Sequence, residues 1–431
     1  MAHQAHSIPW QALVDNLKFM HCSRRNHGIT NLYLRNTRQH QEKELQYFIG
    51  GFSRALSRYS EIERKKYNTD LDHPELDEKV ISDDAVKKMA RTVLSYRGGD
   101  GQVPVYIPTH SVLSQYECTT QRFISDTHPG EGDMNDCIRD VCEQVKTMML
   151  YGEMDSLLRV AAHPSVRFSR LWDETQFANA HGFGLSKLKD SALQAYICLN
   201  VMFLKPELYD ATSRKAFVER ETKKNRTTFA TESYDYRLTA AYQHMLLCCT
   251  GVRYGSNHYE VHTYPHREFF GVPSGMFHVE SADCRCKRQL GTVRIPDIVD
   301  EPFKGIYIAS QADIPIVLDL IKSKGLPTEL AVQIMHLADY TSVGRLLVRD
   351  DPLNLINTDE LKQYLGYCWM LLVRLDMLCK ASGQWLDWEA EVTDTICTLF
   401  EMDSPSRRKV ELVPYADTDF SGRTYKVVFK T

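Results

Sequence analysis

The chain has no apolar run of membrane-spanning length. Its opening residues, Met1-Ala2-His3-Gln4-Ala5-His6, form no apolar secretion segment. No membrane partner is therefore expected, and the expected location is the cytoplasm. A strong charge of one sign is also lacking: 52 Lys and Arg face 56 Asp and Glu, a net charge of −4 over 431 residues. That balance argues against a protein coated for DNA, so any RNA contact must come from local basic patches. No internal repeat is evident, and no standard zinc framework occurs. Cys284-Arg285-Cys286, with His278 nearby, has a spacing that matches none, so no metal is expected. The twelve cysteines are scattered, and we read them as reduced core residues. The Gly-x-Ser-x-Gly elbow of esterases is missing, because Ala55 stands where its second glycine belongs.

What is present is an ordinary globular balance, 43% apolar and 25% charged residues, on a chain long enough for two domains. The stretch Leu45-Gln46-Tyr47-Phe48-Ile49-Gly50-Gly51-Phe52-Ser53 draws the eye first. Its apolar half has the length of a buried strand, although a helix start fits the same residues. Two glycines then permit a sharp turn, and helix-favouring residues run on through Lys66. Strand, glycine turn, serine and helix is how open α/β folds present a hydroxyl or hold a phosphate. Ser53 then serves either as a helix N-cap or as a nucleophile.

Further strand candidates lie at 103–110, 166–171, 269–280, 293–295 and 305–309, interleaved with helical patterns at 83–96, 133–160, 186–204 and 205–249. The expected fold is therefore α/β, a mostly parallel sheet flanked by helices over residues 1–310. Residues 311–431 read as a helical domain closing in a β-hairpin, 409–413 with 424–429. Between Arg214 and Arg226 six basic residues face Glu219 and Glu221, a local net charge of +4. Arg220, Lys223 and Lys224 share one helical face there, a candidate phosphate-contacting surface.

Three segments together resemble the tRNA-dependent cyclodipeptide synthases. Gly51-Phe52-Ser53-Arg54-Ala55-Leu56-Ser57 is similar to that family's Gly-x-Ser-x-x-Asn-Ser turn, with Leu56 in place of its asparagine. Val105-Tyr106-Ile107-Pro108 is similar to its next strand. Tyr259, Pro265 and Val272-Pro273-Ser274 match a later motif whose glutamate position is Thr263 here. These departures look most like the fungal arginine-containing branch of the activity. The resemblance implies a Rossmann-like domain, an aminoacyl-serine intermediate on Ser53, and two aminoacyl-tRNA substrates, one of them arginyl. It implies no cofactor, since an aminoacyl ester is already activated. Gly51 and Thr263 would lie against the substrate, and Tyr259 and His262 would position the amine or relay protons. Glu260, Glu268 and His262 are open as substitutes for the missing carboxylate, and Asp126, Glu260 and Glu268 for binding a guanidinium. An alternative is a non-catalytic adaptor, because Leu326-Pro327-Thr328-Glu329-Leu330 resembles the opening of an F-box.

Overall fold

The stretch around Ser53 is not strand, turn and helix but part of one continuous helix, Gln39–Arg64. Its apolar residues Leu45, Phe48, Ile49, Phe52, Ala55 and Leu56 recur at helical spacing straight through the two glycines, and all are buried. Two helical glycines cost about 1 kcal/mol each in propensity. The packing of the flanking aromatics exceeds that cost. Gly51 is there for close approach rather than for a turn: a Cβ on it would sit 2.6 Å from Cδ of Pro9.

The computed structural model describes residues 7–21, 29–34, 39–68, 72–97, 112–127, 134–172, 184–225, 234–253, 261–279, 290–338, 340, 344–400, 411–414 and 425–428. The strand expected at 103–110 lies outside them. In chain order the elements are α1 (Trp10–Val14), β1 (Leu17–Met20), β2 (Asn31–Leu34), α2 (Gln39–Arg64), α3 (Asp83–Arg97), α4 (Thr120–Thr127) and α5 (Met134–Tyr151). There follow α6 (Met154–Ala162), α7 (Leu185–Phe203), α8 (Ala211–Asn225), α9 (Ala240–Thr250), β3 (Val252–Arg253), α10 (Tyr264–Phe270) and β4 (His278–Val279). The chain ends with α11 (Asp313–Lys322), α12 (Thr328–Leu337), α13 (Thr358–Ala381), α14 (Trp388–Phe400), β5 (Glu411–Pro414) and β6 (Tyr425–Val428).

This architecture overturns the Rossmann-like α/β expectation. Among the described residues the strands form three separate two-stranded pairs: β1 with β2 and β5 with β6 antiparallel, β3 with β4 parallel over two residues. No extended parallel sheet exists there for helices to flank. The pieces read as strands at 166–171 and 293–295 enter short 3-10 turns, Phe168–Leu171 and Ile295–Ile298, and 306–309 is irregular chain. Short apolar runs look alike in either secondary structure, and here tertiary packing chose helix. The long helix expected over 133–160 is two helices, parted where Gly152 adopts a positive φ of 78°.

The core is organised around α7, which is apolar on nearly every side and buried from Leu188 to Met202 save Asp190. It packs against α13, α9, α14, α1 and α5. Tyr196 on α7 meets Trp10 at 5.6 Å, Phe52 at 6.1 Å and Trp369 at 5.1 Å between ring centroids. Such pairs contribute about 0.5–1.5 kcal/mol each beyond their burial. The helices on either side of residue 310 share this core, since α13 and α14 both pack on α2 and α7. Polar staples add direction. Lys189 of α7 pairs with Glu391 of α14, and the Asn31 side chain donates to Leu399 O and accepts from Ala241 N.

Candidate functional site

Ser53 is half-buried in the interior of α2, so the free amides of that helix lie back near Gln39 and not beside its hydroxyl. Tyr259 and Glu260 lie outside the described residues. Asp126 belongs to the last turn of α4. Glu268 is turned to Arg345, with its carboxylate 3.1 Å from the guanidinium. Gly51 packs on Pro9, as described above. His262 and Thr263 behave differently: both are buried, on the 3-10 turn Val261–Thr263 that leads into α10.

That turn packs on α5, α7, α9 and α3 and meets an ion pair that the sequence did not advertise. Glu143 and Lys146 of α5 are both fully buried, with Lys146 Nζ donating to Glu143 Oε1 at 2.7 Å. The second oxygen, Glu143 Oε2, accepts from the backbone amide of Val261 at 3.2 Å. Burial pushes the Glu143 carboxyl above its ordinary range, and Lys146 with the Val261 amide pulls it back. A charged pair at i, i+3 reads as a solvated helix face. Here α3 and the 261–263 turn cover that face, so α5 is buried on all sides from Val141 to Met149.

Two histidines one helical turn apart complete the cluster. Burial holds His262 well below the usual imidazole range, and the positive charges of Lys146, Lys187 and Arg267 add to the effect. Burial alone brings His266 down to about 3. Both are therefore neutral at pH 7, able to accept a proton or a hydrogen bond. His266 Nδ1 shares a hydrogen bond of 2.6 Å with the Tyr364 hydroxyl, while His266 Nε2 and His262 Nδ1 have no hydrogen-bond partner among the described residues. Unpartnered buried ring nitrogens are costly, and such a cost persists where a site uses it. Arg267 donates from Nε to Thr263 Oγ1 at 3.0 Å, which ties the threonine at the motif's glutamate position to a half-buried cation.

Chemically the cluster holds one carboxylate, one ammonium, two neutral imidazoles and the cations Lys187 and Arg267 at its edge. Such a set can move a proton at a neutral imidazole and stabilise a developing oxyanion with fixed positive charge. A guanidinium substrate finds no unengaged carboxylate in Glu143 or Glu268. Among the described residues no group of three or more His, Cys, Asp or Glu is arranged to hold a metal ion, and no helix is long and apolar enough to cross a membrane. Cys284 and Cys286 lie outside them. The basic surface at 214–226 falls on α8, where Arg220 and Lys223 are exposed and Arg220 lies over the Phe217 ring at 5.6 Å. Lys224 belongs to the same helix.

The family model described as "Gramillins biosynthetic cluster protein GRA5" matches residues 11–409. Comparison with curated proteins and with solved structures found no match. The match runs from α1 past the end of α14 and so takes in the whole helical core, the buried pair and both histidines. The chain belongs to the gramillins biosynthetic cluster protein GRA5 family.

Proposed function

We propose that the protein is an aminoacyltransferase of secondary-metabolite biosynthesis that joins amino acids from two aminoacyl-tRNAs into a cyclic dipeptide. The family supports the biosynthetic setting. One structural observation carries the rest: the segment bearing the resemblance, through Thr263 and Pro265, folds directly onto the buried Glu143–Lys146 pair. In place of the carboxylate that the synthase motif has and Thr263 lacks, Glu143 of α5 holds the 261–263 turn through the Val261 amide. In this reading Glu143 orients the attacking amine through the 261–263 turn, and His262 takes its proton. Lys146, Lys187 and Arg267 offset the charge that develops on the ester oxygen. Transfer to a serine exchanges the first tRNA ester for a serine ester and releases that tRNA. The serine-bound amine then attacks the second aminoacyl ester, forming one amide and releasing the second tRNA. The new amine attacks the serine ester, forming the second amide and freeing the hydroxyl, so neither ATP nor an oxidant is consumed. Ser53 is the hydroxyl proposed to hold the first aminoacyl group, and α8 the surface proposed to meet tRNA phosphates.

The test is incubation with a mixture of charged tRNAs, arginyl-tRNA among them, and mass spectrometry of the small products. Wild type should release a diketopiperazine. His262→Ala should lose about a hundredfold or more in rate while circular dichroism stays native. Ser53→Ala separates a serine-bound intermediate, which it abolishes, from direct transfer between two tRNAs, which it spares. No diketopiperazine from wild type would refute the proposal.

A second reading has its own observation. Helices α11 and α12, which follow Ser310 and include the F-box-like opening, pack chiefly on each other. They expose Ile316, Leu320, Val332 and Leu337, the last at 78%. Single exposed apolar residues are normal, whereas a contiguous set marks an interaction surface. An adaptor would recover a ubiquitin-ligase subunit through 311–340 and lose it on Leu337→Asp, with no small product formed.

A further inference from the structure

Away from the buried cluster, the 3-10 turn Tyr236–Leu238, the segment 294–308 and the loop before α13 enclose a cavity of about 490 Å³. That volume is within the range of small-molecule sites. Its floor is apolar, built from Leu238, Ile295, Val299, Phe303 and Ile308. Its lining also carries four cations, Arg237, Arg294, Lys304 and Arg349, against two acids, Asp235 and Asp350. Arg237 pairs with Asp235 and Arg349 with Asp350 at 3.4 Å, while Arg294 and Lys304 pair with Asp297 and Glu301 outside that lining.

The polar wall is set before any ligand arrives. Arg237 is clamped by Asp235, with Nε–Oδ1 at 3.1 Å and Nη2–Oδ2 at 2.8 Å. Arg349 is aimed by donating from Nη1 to Ile308 O at 3.1 Å. Asp350 beside it is the only non-glycine at positive φ among the described residues, at 56°. The residues on either side of it are fixed by side-chain bonds. The buried Asn357 side chain accepts from Val348 N at 3.0 Å and donates to Val348 O and Asp351 O, each at 2.8 Å. The Tyr236 hydroxyl donates to Asp351 Oδ1 at 2.7 Å. Fixed residues on both sides of Asp350, beside a cavity it lines, give that wall a defined shape. Bulk solvent needs no such arrangement.

We propose that this cavity binds a small molecule with an apolar body and one anionic head, a carboxylate or a phosphate. The head faces Arg349 and Arg237, and the body lies on Val299 and Phe303. Arginine suits both heads, because its planar donors match two acceptor oxygens at once.

Calorimetric titration of the full chain with decanoate, decyl phosphate and decanol tests this. One molecule of an anionic amphiphile should bind per chain, with decanol about tenfold weaker or worse. A tenfold or larger preference between the two anions assigns the head as carboxylate or phosphate. Arg349→Gln should weaken the anions about tenfold and leave decanol unchanged. Val299→Trp, which fills the floor, should abolish binding of all three. The two variants alter different walls, so a folding failure in one leaves the other as a test. Leu337→Asp on α12 is the control for adsorption to the exposed hairpin and should change nothing. The proposal is overturned by decanol binding as tightly as the anions, by unaltered binding in Val299→Trp, by loss of binding in Leu337→Asp, or by the absence of saturable binding.

Discussion

Gly50 and Gly51 are neighbours on α2, yet alanine at the two positions should have opposite effects. Alanine in a helix interior is favoured over glycine by about 1 kcal/mol. At Gly50 the new Cβ would lie 3.1 Å from Arg54 Nη1, the far end of an exposed and flexible side chain. That group swings aside, so most of the gain survives, and Gly50→Ala should stabilise by about 0.5–1 kcal/mol. At Gly51 the new Cβ would lie 2.6 Å from Pro9 Cδ and 3.0 Å from Pro9 Cγ. Carbon contacts are comfortable at about 3.5–4.0 Å, which makes this an overlap of about 1 Å against a closed ring. The ring cannot retreat freely, because Trp10 beside it packs on Phe48 at 5.4 Å and on Tyr196 at 5.6 Å. Overpacking of this kind costs about 1–3 kcal/mol. After the propensity gain, Gly51→Ala should destabilise by up to about 2 kcal/mol, about 0.5–3 kcal/mol apart from Gly50→Ala. Urea unfolding followed by circular dichroism measures the difference, and Pro9→Ala in the Gly51→Ala background should restore part of it. Two alanines that shift the midpoint equally, in either direction, would refute a helix packed on Pro9.

Glu143→Gln leaves Lys146 buried without its partner and should cost about 3–5 kcal/mol, much of which Glu143→Gln with Lys146→Met should recover; an unaffected single variant in urea unfolding would remove the buried pair. His266 is neutral when folded and binds a proton near 6.5 when unfolded, so its contribution is fully present above pH 6.5 and is lost as pH falls from there toward about 3. The stability advantage of wild type over His266→Phe should accordingly shrink by about 1.4 kcal/mol between about pH 7.5 and about pH 5.5, and a constant difference would contradict a buried neutral imidazole. Reversing Arg220 and Lys223 to glutamate should weaken aminoacyl-tRNA binding and lower the slope of log affinity against log salt by about 2; an unchanged slope would take α8 out of the interface.

Helices with a clean apolar stripe are legible in the residue order alone. The patterns at 83–96 and 186–204 correspond to α3 and α7. Local signals suffice there, because a periodic face, a proline start or a glycine stop acts within a few residues. The misreadings share one cause. Phe48, Ile49 and Phe52 satisfy a strand run and a helix stripe equally, and glycines after them suggest a turn only if nothing else approaches. Pro9, remote in sequence, explains Gly51.

The amino-acid order by itself determined the apolar inventory of the helices, the basic surface on α8 and the presence of His262 and Thr263 in one short motif. Tertiary structure alone decided that Glu143 and Lys146, spaced like an exposed helix pair, are sealed beneath α3 and brought to that motif. Burial, charge coupling and imidazole protonation depend on what covers a residue. The Glu143 carboxylate on α5 meets the Val261 amide from 118 positions away, and no local pattern records that.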